Sequence, residues 1–574
     1  MSASVNAEGR GRKIVIVGGV AGGMSCAARA RRLDETAEVI VLEKGEQVSF
    51  ANCGLPYFVG GEIADEQSLL VQAPASLRAA LALDVRTGSE VVSLDTETKT
   101  VTVRTGDRES ELSYDALVLS PGATALRPPI PGLDSPRVRT LRTVDDAVAL
   151  RGDVLGGARR AVVLGAGFIG VEAAEALAHR GLEVTLVELG PHPLPPLERE
   201  LAWLVTEELR ALGVDVRTGV AAERVDHDDD LDTVILADGT RLPADVVVLS
   251  VGVRPDTAAF GAAGIALERG AIVVDGHGRT SASGVWAVGD ATVSVDGVTG
   301  IRRPVALAGP AARAGRLVAD DILMPDDARP VPRPLGTAIV RVGGLTAALT
   351  GANRAALEDA GIDYRTLHLH PNQHAGYFPD ASQVHLVVHV RVDDGLLLGA
   401  QAVGADGVDK RIDVLATAIR AGMRVDDLID LDLAYSPPYG QAKDPVNLAG
   451  MAGQNVLTGV LSLWYPHELE WVRRNALLLD VRTRVEYATG HVPGSLNIPH
   501  TELRERLDEV RDAADGRPVR VTCQSGVRSA IAHRVLTQAG FDSASLSGGM
   551  LTLRAWLGDL HTDVLETGDV PALV

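Results

Sequence analysis

Runs of consecutive apolar, mostly β-branched residues recur along the chain, and several of them stop on glycine or an acid. The run from Lys13 to Val17 reads as a strand closing on Gly18 and Gly19, residues 27–33 as a helix, and the run from Glu38 to Glu43, apolar between its two acids, as a second strand. That order is a strand-helix-strand unit. The pattern returns in residues 161–165, a helix over about 169–179, and a strand over 183–188, so the chain carries two dinucleotide-type units. After each unit comes a further apolar run: 114–122 ends on Ser120, Pro121 and Gly122, and 244–252 ends on Gly252. Residues 284–290 then form a strand ending on Asp290. This order predicts a first domain interrupted by a second and resumed near residue 250. A proline-rich stretch over 324–334 marks a linker. Beyond it, strand-like runs around 385–391 and a helix over 410–421 make a compact α+β domain. The last segment alternates short strands (477–481 and 517–522) with an amphipathic helix over 529–539, the pattern of a small parallel α/β domain.

At about 150 residues per domain, 574 residues hold roughly four domains' worth of chain. The formal net charge of −21 disfavours a nucleic-acid groove or an anionic membrane surface as the main partner. Three cysteines, Cys26, Cys53 and Cys523, form no CxxC pair and stand in no His/Cys cluster at zinc spacing. Neither a disulfide framework nor a metal site is expected. The start lacks the apolar segment of a signal peptide and no run approaches the ~20 apolar residues of a membrane span, which leads to the expectation of a soluble, cytoplasmic protein.

The first glycine cluster, Gly18, Gly19, Gly22 and Gly23 with Ala21, opens a helix whose N-terminal amides suit a pyrophosphate, and Glu43 ends the next strand where an acid binds a ribose hydroxyl. Val20 replaces the middle glycine of the strict fingerprint. The second cluster, Gly165, Gly167 and Gly170 with Glu188, is a full match. Glu188 would repel a 2′-phosphate and no arginine follows it closely, which favours NADH over NADPH. Two such sites imply a relay to a second redox carrier, most simply FAD. Cys53 lies just beyond Glu43 in a segment where Gly54 and Pro56 suggest a turn into a helix, so its thiol is the candidate nucleophile. Cys26, on the packing face of the first helix, reads as core filler.

The segment from Ser49 to Tyr57, with its single redox-type cysteine, resembles the active-site loop of the flavin-dependent pyridine nucleotide-disulfide oxidoreductases of the single-cysteine type. These include coenzyme A-disulfide reductases, NADH oxidases and NADH peroxidases. The resemblance extends over about residues 12–455 and implies FAD at Gly18, Ala21, Gly22, Gly23, Glu43, Lys44, Ser120, Gly122, Asp290 and Ala308. It places NADH at Gly165, Gly167, Gly170, Glu188 and Gly252. Two later segments, one around Tyr377 and one from Tyr435 to Asn447, resemble the paired tyrosine motifs of the coenzyme A-disulfide reductases. There the tyrosines come from the partner subunit of a homodimer, and a phenol donates a hydrogen bond to a departing thiolate. The same resemblance puts coenzyme A beside Ser25, Arg29, Arg32, Ser49, Asn52, Gln373 and Lys443. Ala312 stands where the family has Asn or His, a departure at one coenzyme A contact.

The last segment, with Asp480, Glu486, His491, Asn497 and the loop from Cys523 to Ser529, resembles a rhodanese module over about residues 470–560. Loop amides and a helix N-terminus there hold a thiolate or persulfide on Cys523, and Arg528 closes the loop.

The expected fold is therefore α/β: two Rossmann-like domains for FAD (12–122 and 245–325) and NADH (123–244), an α+β dimerisation domain (335–455), and a rhodanese-like α/β domain (470–562). The resemblance implies an NADH- and FAD-dependent reductase of coenzyme A persulfide, polysulfide or coenzyme A disulfide. In this reading Cys53 forms a mixed disulfide with coenzyme A, and Cys523 handles sulfane sulfur. Two alternatives stand beside it: an NADH oxidase or peroxidase cycling through a Cys53 sulfenic acid, and a flavoprotein redox sensor whose rhodanese module recruits a partner.

Overall fold

The computed structural model describes residues 11–568. They fall into two compact units, one through Pro191 together with Leu212–Gly336, the other His192–Ala211 together with the chain from Thr337 onward. The expected span 123–244 thus contains a segment, 192–211, that groups with the second unit.

The first unit is built on two parallel five-stranded sheets. One runs in the order Val285–Ala287, Ala116–Leu119, Lys13–Val17, Glu38–Leu42, Asp84–Arg86. Its edge strand arrives in sequence after the other sheet is complete, which is how the first domain resumes. The other sheet runs Asp215–Thr218, Glu183–Glu188, Arg160–Leu164, Val246–Leu249, Val138–Arg139. Central strands such as Lys13–Val17 and Val246–Leu249 are buried on both faces. Their unbroken apolar runs, in place of an alternating pattern, follow from that burial. An antiparallel pair, Ala123–Ala125 with Val253–Pro255, links the two halves.

The helix after the first strand spans Ala21–Leu33, six residues earlier than the sequence reading. Low glycine helix propensity hides this first turn, but Gly22 and Gly23 are needed there. A Cβ on Gly23 would lie 1.9 Å from the Gly18 carbonyl oxygen, and one on Gly315 of the packed helix Ala308–Leu323 would lie 2.0 Å from that of Gly22. Cys26 is fully buried at this helix pair, and burial pushes its thiol up to about 12, as expected of core filler.

The second unit holds a five-stranded antiparallel sheet in the order Ala338–Val342, Leu345–Gly351, Leu397–Gly404, Val384–Arg391, Tyr364–Leu369. Helices Val408–Ala421 and Pro445–Leu457 accompany it. A parallel sheet follows in the order Leu463–Trp464, Ser543–Leu546, Val519–Thr522, Leu477–Asp480, Leu496–Asn497. The helix Arg199–Ala211 is tied to this unit by charge: Arg354 pairs with Glu198 and Glu200, and Arg210 with Asp559. Among the described residues no helix is long and apolar enough to cross a membrane.

Candidate active sites

Both glycine-opened helices begin without a side-chain cap, whereas Thr143, Asp444 and Thr483 close the starts of other helices with capping boxes. Uncapped first-turn amides are orphan donors suited to an anion. Around the first helix, Gly18 takes φ +95°, and a Cβ there would meet the Ser120 carbonyl oxygen at 2.0 Å. A cavity of about 430 Å³ is lined by Gly18, Glu43, Lys44, Asp256 and Phe260 among others. Glu43 accepts from the amides of Gly19 and Gly45, both at 2.8 Å, and Lys44 pairs with Asp256. Gly122, with φ +70°, has nothing packed against the place of a Cβ. Ala308 opens another helix that lacks a side-chain cap. These glycines, orphan amides and cavity fit a dinucleotide such as FAD.

The second unit of the tandem repeats the arrangement atom for atom at its acid: Glu188 accepts from Ala166 N–H and Gly190 N–H, both at 2.7 Å. Gly165 and Gly170 are demanded by packing, since a Cβ on Gly170 would lie 1.9 Å from the Gly165 carbonyl oxygen. Gly167 and Gly252 have nothing within 4 Å of a Cβ position. Packing therefore does not explain glycine at Gly167, and the open space there leaves room for a ligand to approach the backbone.

Cys53 is exposed in a single 3₁₀ turn, Asn52–Gly54, that runs directly into the helix Leu55–Gly60. Desolvation raises its thiol above the ordinary value, the Glu172 carboxylate adds to the rise, and Arg142 opposes it. Arg142 donates to Asp290 at 2.5 Å, an ion pair across 148 positions for which the sequence carries no signal. Ser49 holds φ +49°, a left-handed conformation that costs a non-glycine residue roughly 1 kcal/mol or more. Its amide donates to Gly19, so the redox loop is tethered to the first glycine turn. Ser25 is half-buried on the first helix. The two arginines expected beside coenzyme A differ: Arg32 is exposed, whereas Arg29 is half-buried and bonded to Asp320 at 2.6 Å.

The two tyrosines, 58 positions apart, come together. The hydroxyls of Tyr377 and Tyr435 are 3.2 Å apart, on side chains 77% and 49% exposed. Sharing that hydrogen bond raises the Tyr377 phenol above its usual value. Gln373 is buried and spends its amide within its own loop, donating to the Asp380 carbonyl and accepting from Ser382 N–H. Lys443 is exposed beside Asp444, which both caps the helix Pro445–Leu457 and pairs with the buried Arg411.

Cys523 is fully buried at the end of the strand Val519–Thr522. Its Sγ accepts from Gly526 N–H at 3.2 Å and lies 3.3 Å from the Ser529 hydroxyl, which in turn accepts from Ser545 at 2.8 Å. The following helix, Val527–Gln538, starts without a side-chain cap. Arg528 is bound at two points by Glu486, at 2.6 and 2.8 Å, a pairing the sequence reading did not draw although both residues stand in the rhodanese pattern. A turn with Gly548 at φ +69° and Gly549 at φ +62° backs the loop, and Met550 N–H donates to the Cys523 carbonyl. Against that turn lies a histidine network, buried at His368 and half-buried at His370 and His385. His370 meets Thr552 and His385, both at 2.8 Å, and His368 bridges Ser547 and Glu200, both at 2.7 Å. Burial pushes Glu200 up, but His368 and Arg354 outweigh it and hold the carboxyl at about 2.

Comparison with known proteins follows the same division. Residues 12–315 match the pyridine nucleotide-disulphide oxidoreductase family, 337–445 its dimerisation domain, and 468–555 a rhodanese-like domain. The coenzyme A disulfide reductase of Staphylococcus haemolyticus is 34% identical over 449 residues, covering 78% of this chain and 100% of the relative. The solved structure of reduced Bacillus anthracis CoADR-RHD superposes with a TM-score of 0.93 at 40% identity, covering 96% of this chain and 99% of that one. An NAD-dependent persulfide reductase from A. fulgidus superposes at 0.88 with 38% identity, covering 94% and 99%.

Proposed function

The chain belongs to the pyridine nucleotide-disulphide oxidoreductase family, and from that premise we propose that it is an NADH-dependent reductase of coenzyme A persulfide, polysulfide or coenzyme A disulfide, acting as a homodimer. The observation that carries the reading is the meeting of Tyr377 and Tyr435, hydroxyl to hydroxyl at 3.2 Å on an exposed surface, in a chain whose exposed Cys53 has no second cysteine nearby in sequence.

FAD, held by the Gly18 to Gly23 turn, Glu43 and the groups around Asp290 and Ala308, supplies the two-electron step between nicotinamide and thiol when bound. Gly165, Gly167 and Gly170 bring backbone amides to the pyrophosphate of NADH. Glu188, an acidic residue at the strand end, disfavours the 2′-phosphate of NADPH. The Cys53 thiolate attacks a sulfur of the substrate S–S bond. A new S–S bond to Cys53 forms, and the departing thiolate or hydrosulfide leaves with the electron pair. The partner subunit's Tyr377 and Tyr435 donate hydrogen bonds to that leaving group, which lowers its basicity in the transition state. Arg142, set by Asp290, offsets part of the rise in the Cys53 thiol. Coenzyme A is expected along Ser25, Arg32, Asn52 and Lys443, with Arg29 contributing only if its bond to Asp320 opens. Gln373 acts by shaping the loop that carries Tyr377. Cys523 accepts sulfane sulfur as a persulfide.

Replacement of Cys53 by Ser tests the reading. NADH oxidation driven by coenzyme A persulfide is expected to fall at least about a thousandfold, as for loss of a nucleophile. Turnover at the wild-type rate, or oxygen reduction outpacing every sulfur substrate, would overturn it.

A further inference from the structure

We propose that Cys523 is loaded from a persulfide on an uncharged thiol arm, such as the pantetheine arm of coenzyme A, and discriminates against thiosulfate. The inference rests on the sulfurtransferase reading of the 523–528 loop and concerns which donor that loop accepts.

Thiosulfate delivers two negative charges to the loop mouth and needs uncompensated cations there. The loop contains one cation, Arg528, and Glu486 takes two of its nitrogens at 2.6 and 2.8 Å. Glu486 is fixed in turn by the amide and hydroxyl of Thr483. Arg528 chiefly, with these bonds, holds its carboxyl down at about 2, so the pair stays ionised and mutually neutral at any working pH. Of the other arginines in this part of the chain, Arg484 is bound by Glu502 and the buried Arg482 by Asp480. Arg554 has only the carbonyls of Thr489 and Gly490 among the described residues.

Apolar side chains are exposed beside this ion pair. Val527, the loop residue before Arg528, is 66% exposed, and Ile531, one turn further along that helix, and Val485, next to Glu486, are exposed as well. A neutral, partly apolar arm ending in –S–SH suits such a surface, and the phosphates of coenzyme A stand at the far end of the arm, away from the loop. The transfer balances without an outside oxidant. The Cys523 thiolate attacks the outer sulfur of R–S–S–H, the donor S–S bond breaks as the Cys523–S bond forms, and R–S⁻ leaves with the electron pair to be protonated by solvent.

The test uses the full-length protein, reduced and exposed without oxygen to thiosulfate or to coenzyme A persulfide, with mass spectrometry reading added sulfur on the Cys523 peptide over time. Loading is expected to be faster from coenzyme A persulfide. Glu486→Gln, which frees the Arg528 charge, should move the ratio of rates towards thiosulfate by about tenfold, the effect of one unpaired charge at a partly screened site. Val527→Lys adds a cation without touching the ion pair and should move the ratio the same way, which keeps the test decisive if the Gln variant does not fold. Wild-type loading as fast from thiosulfate as from coenzyme A persulfide, or an unmoved ratio in Val527→Lys, overturns the inference and leaves the sulfurtransferase reading intact. Absence of loading from either donor overturns both.

Discussion

Cys53 and Cys523 occupy opposite surroundings. Cys53 is exposed on a short helical turn, and the groups around it on balance raise its thiol. Cys523 is fully buried, with an amide and a hydroxyl already aimed at its sulfur and a second hydroxyl behind the first. Under the proposed function the contrast follows from what each sulfur must meet. A thiol that receives electrons from one side and a large substrate from another has to stay open, and the proposal completes its surroundings with the partner subunit's tyrosines. A thiol that only holds a sulfur atom can be enclosed by its own loop, because a persulfide is stabilised by local donors.

Three results would break or sharpen this contrast. The largest concerns the tyrosines. If Cys53 depends on them for its leaving group, the double variant Tyr377→Phe, Tyr435→Phe should lower kcat for coenzyme A persulfide reduction about a hundredfold, the ordinary size of general acid assistance. KM should change little, and sulfur loading of Cys523 should be unaffected. Equal loss of both activities would show that the two thiols are not separately equipped.

The next concerns the histidine network under the Cys523 loop. Burial lowers His385 from 6.5 to about 4 and, together with His385, drives His370 well below 6.5. In the unfolded chain both bind protons near pH 6.5, whereas in the folded protein they do not until much lower pH. The unfolded state therefore gains protons first on acidification, and stability is lost as pH falls from about 6.5 towards 4. Between pH 7 and pH 5 the expected loss from His385 alone is about 2 kcal/mol, read from urea midpoints, and His370 adds to it in the same direction. Hydrogen exchange should place it around residues 368–389 and 547–555, with the segment around Cys53 unchanged. A flat profile would mean that the network does not support the Cys523 side.

The smallest concerns one hydroxyl. Ser529→Ala removes the hydroxyl that lies 3.3 Å from the Cys523 sulfur and should slow sulfur loading of Cys523 by about fivefold, the value of one hydrogen bond. Mass spectrometry of the Cys523 peptide over time measures it, and NADH-dependent reduction at Cys53 should be unchanged.

Much of the fold was legible in the chain because its signals are local. Unbroken apolar strands, glycines at the strand ends and an acid closing the next strand describe both dinucleotide units, and the close approaches at Gly23 and Gly170 show why those positions are glycine. The helix start at Ala21 was misplaced to residue 27 because the glycines that permit tight packing also mask helical periodicity. Cys53, Tyr377, Tyr435 and Cys523 were visible as motifs. Their partners were not: Arg142 with Asp290, Glu486 with Arg528, and the histidines with Ser547 and Thr552 meet across 42 to 182 positions.

The sequence by itself determined the order of elements, the two glycine turns and the motifs around Cys53 and Cys523, since each depends on backbone geometry and residue chemistry over a few neighbours. Tertiary structure alone decided which charges are free. The resemblance sets Arg29 beside coenzyme A and has Arg528 close its loop, but Asp320 and Glu486 already bind them. It also decided that the helix Arg199–Ala211 packs with the second unit. The physical reason is the same in each case. Compensation of a charge or burial of a helix face is settled by which distant groups the packed chain brings within a few ångströms, and that distance is not written in any local stretch of residues.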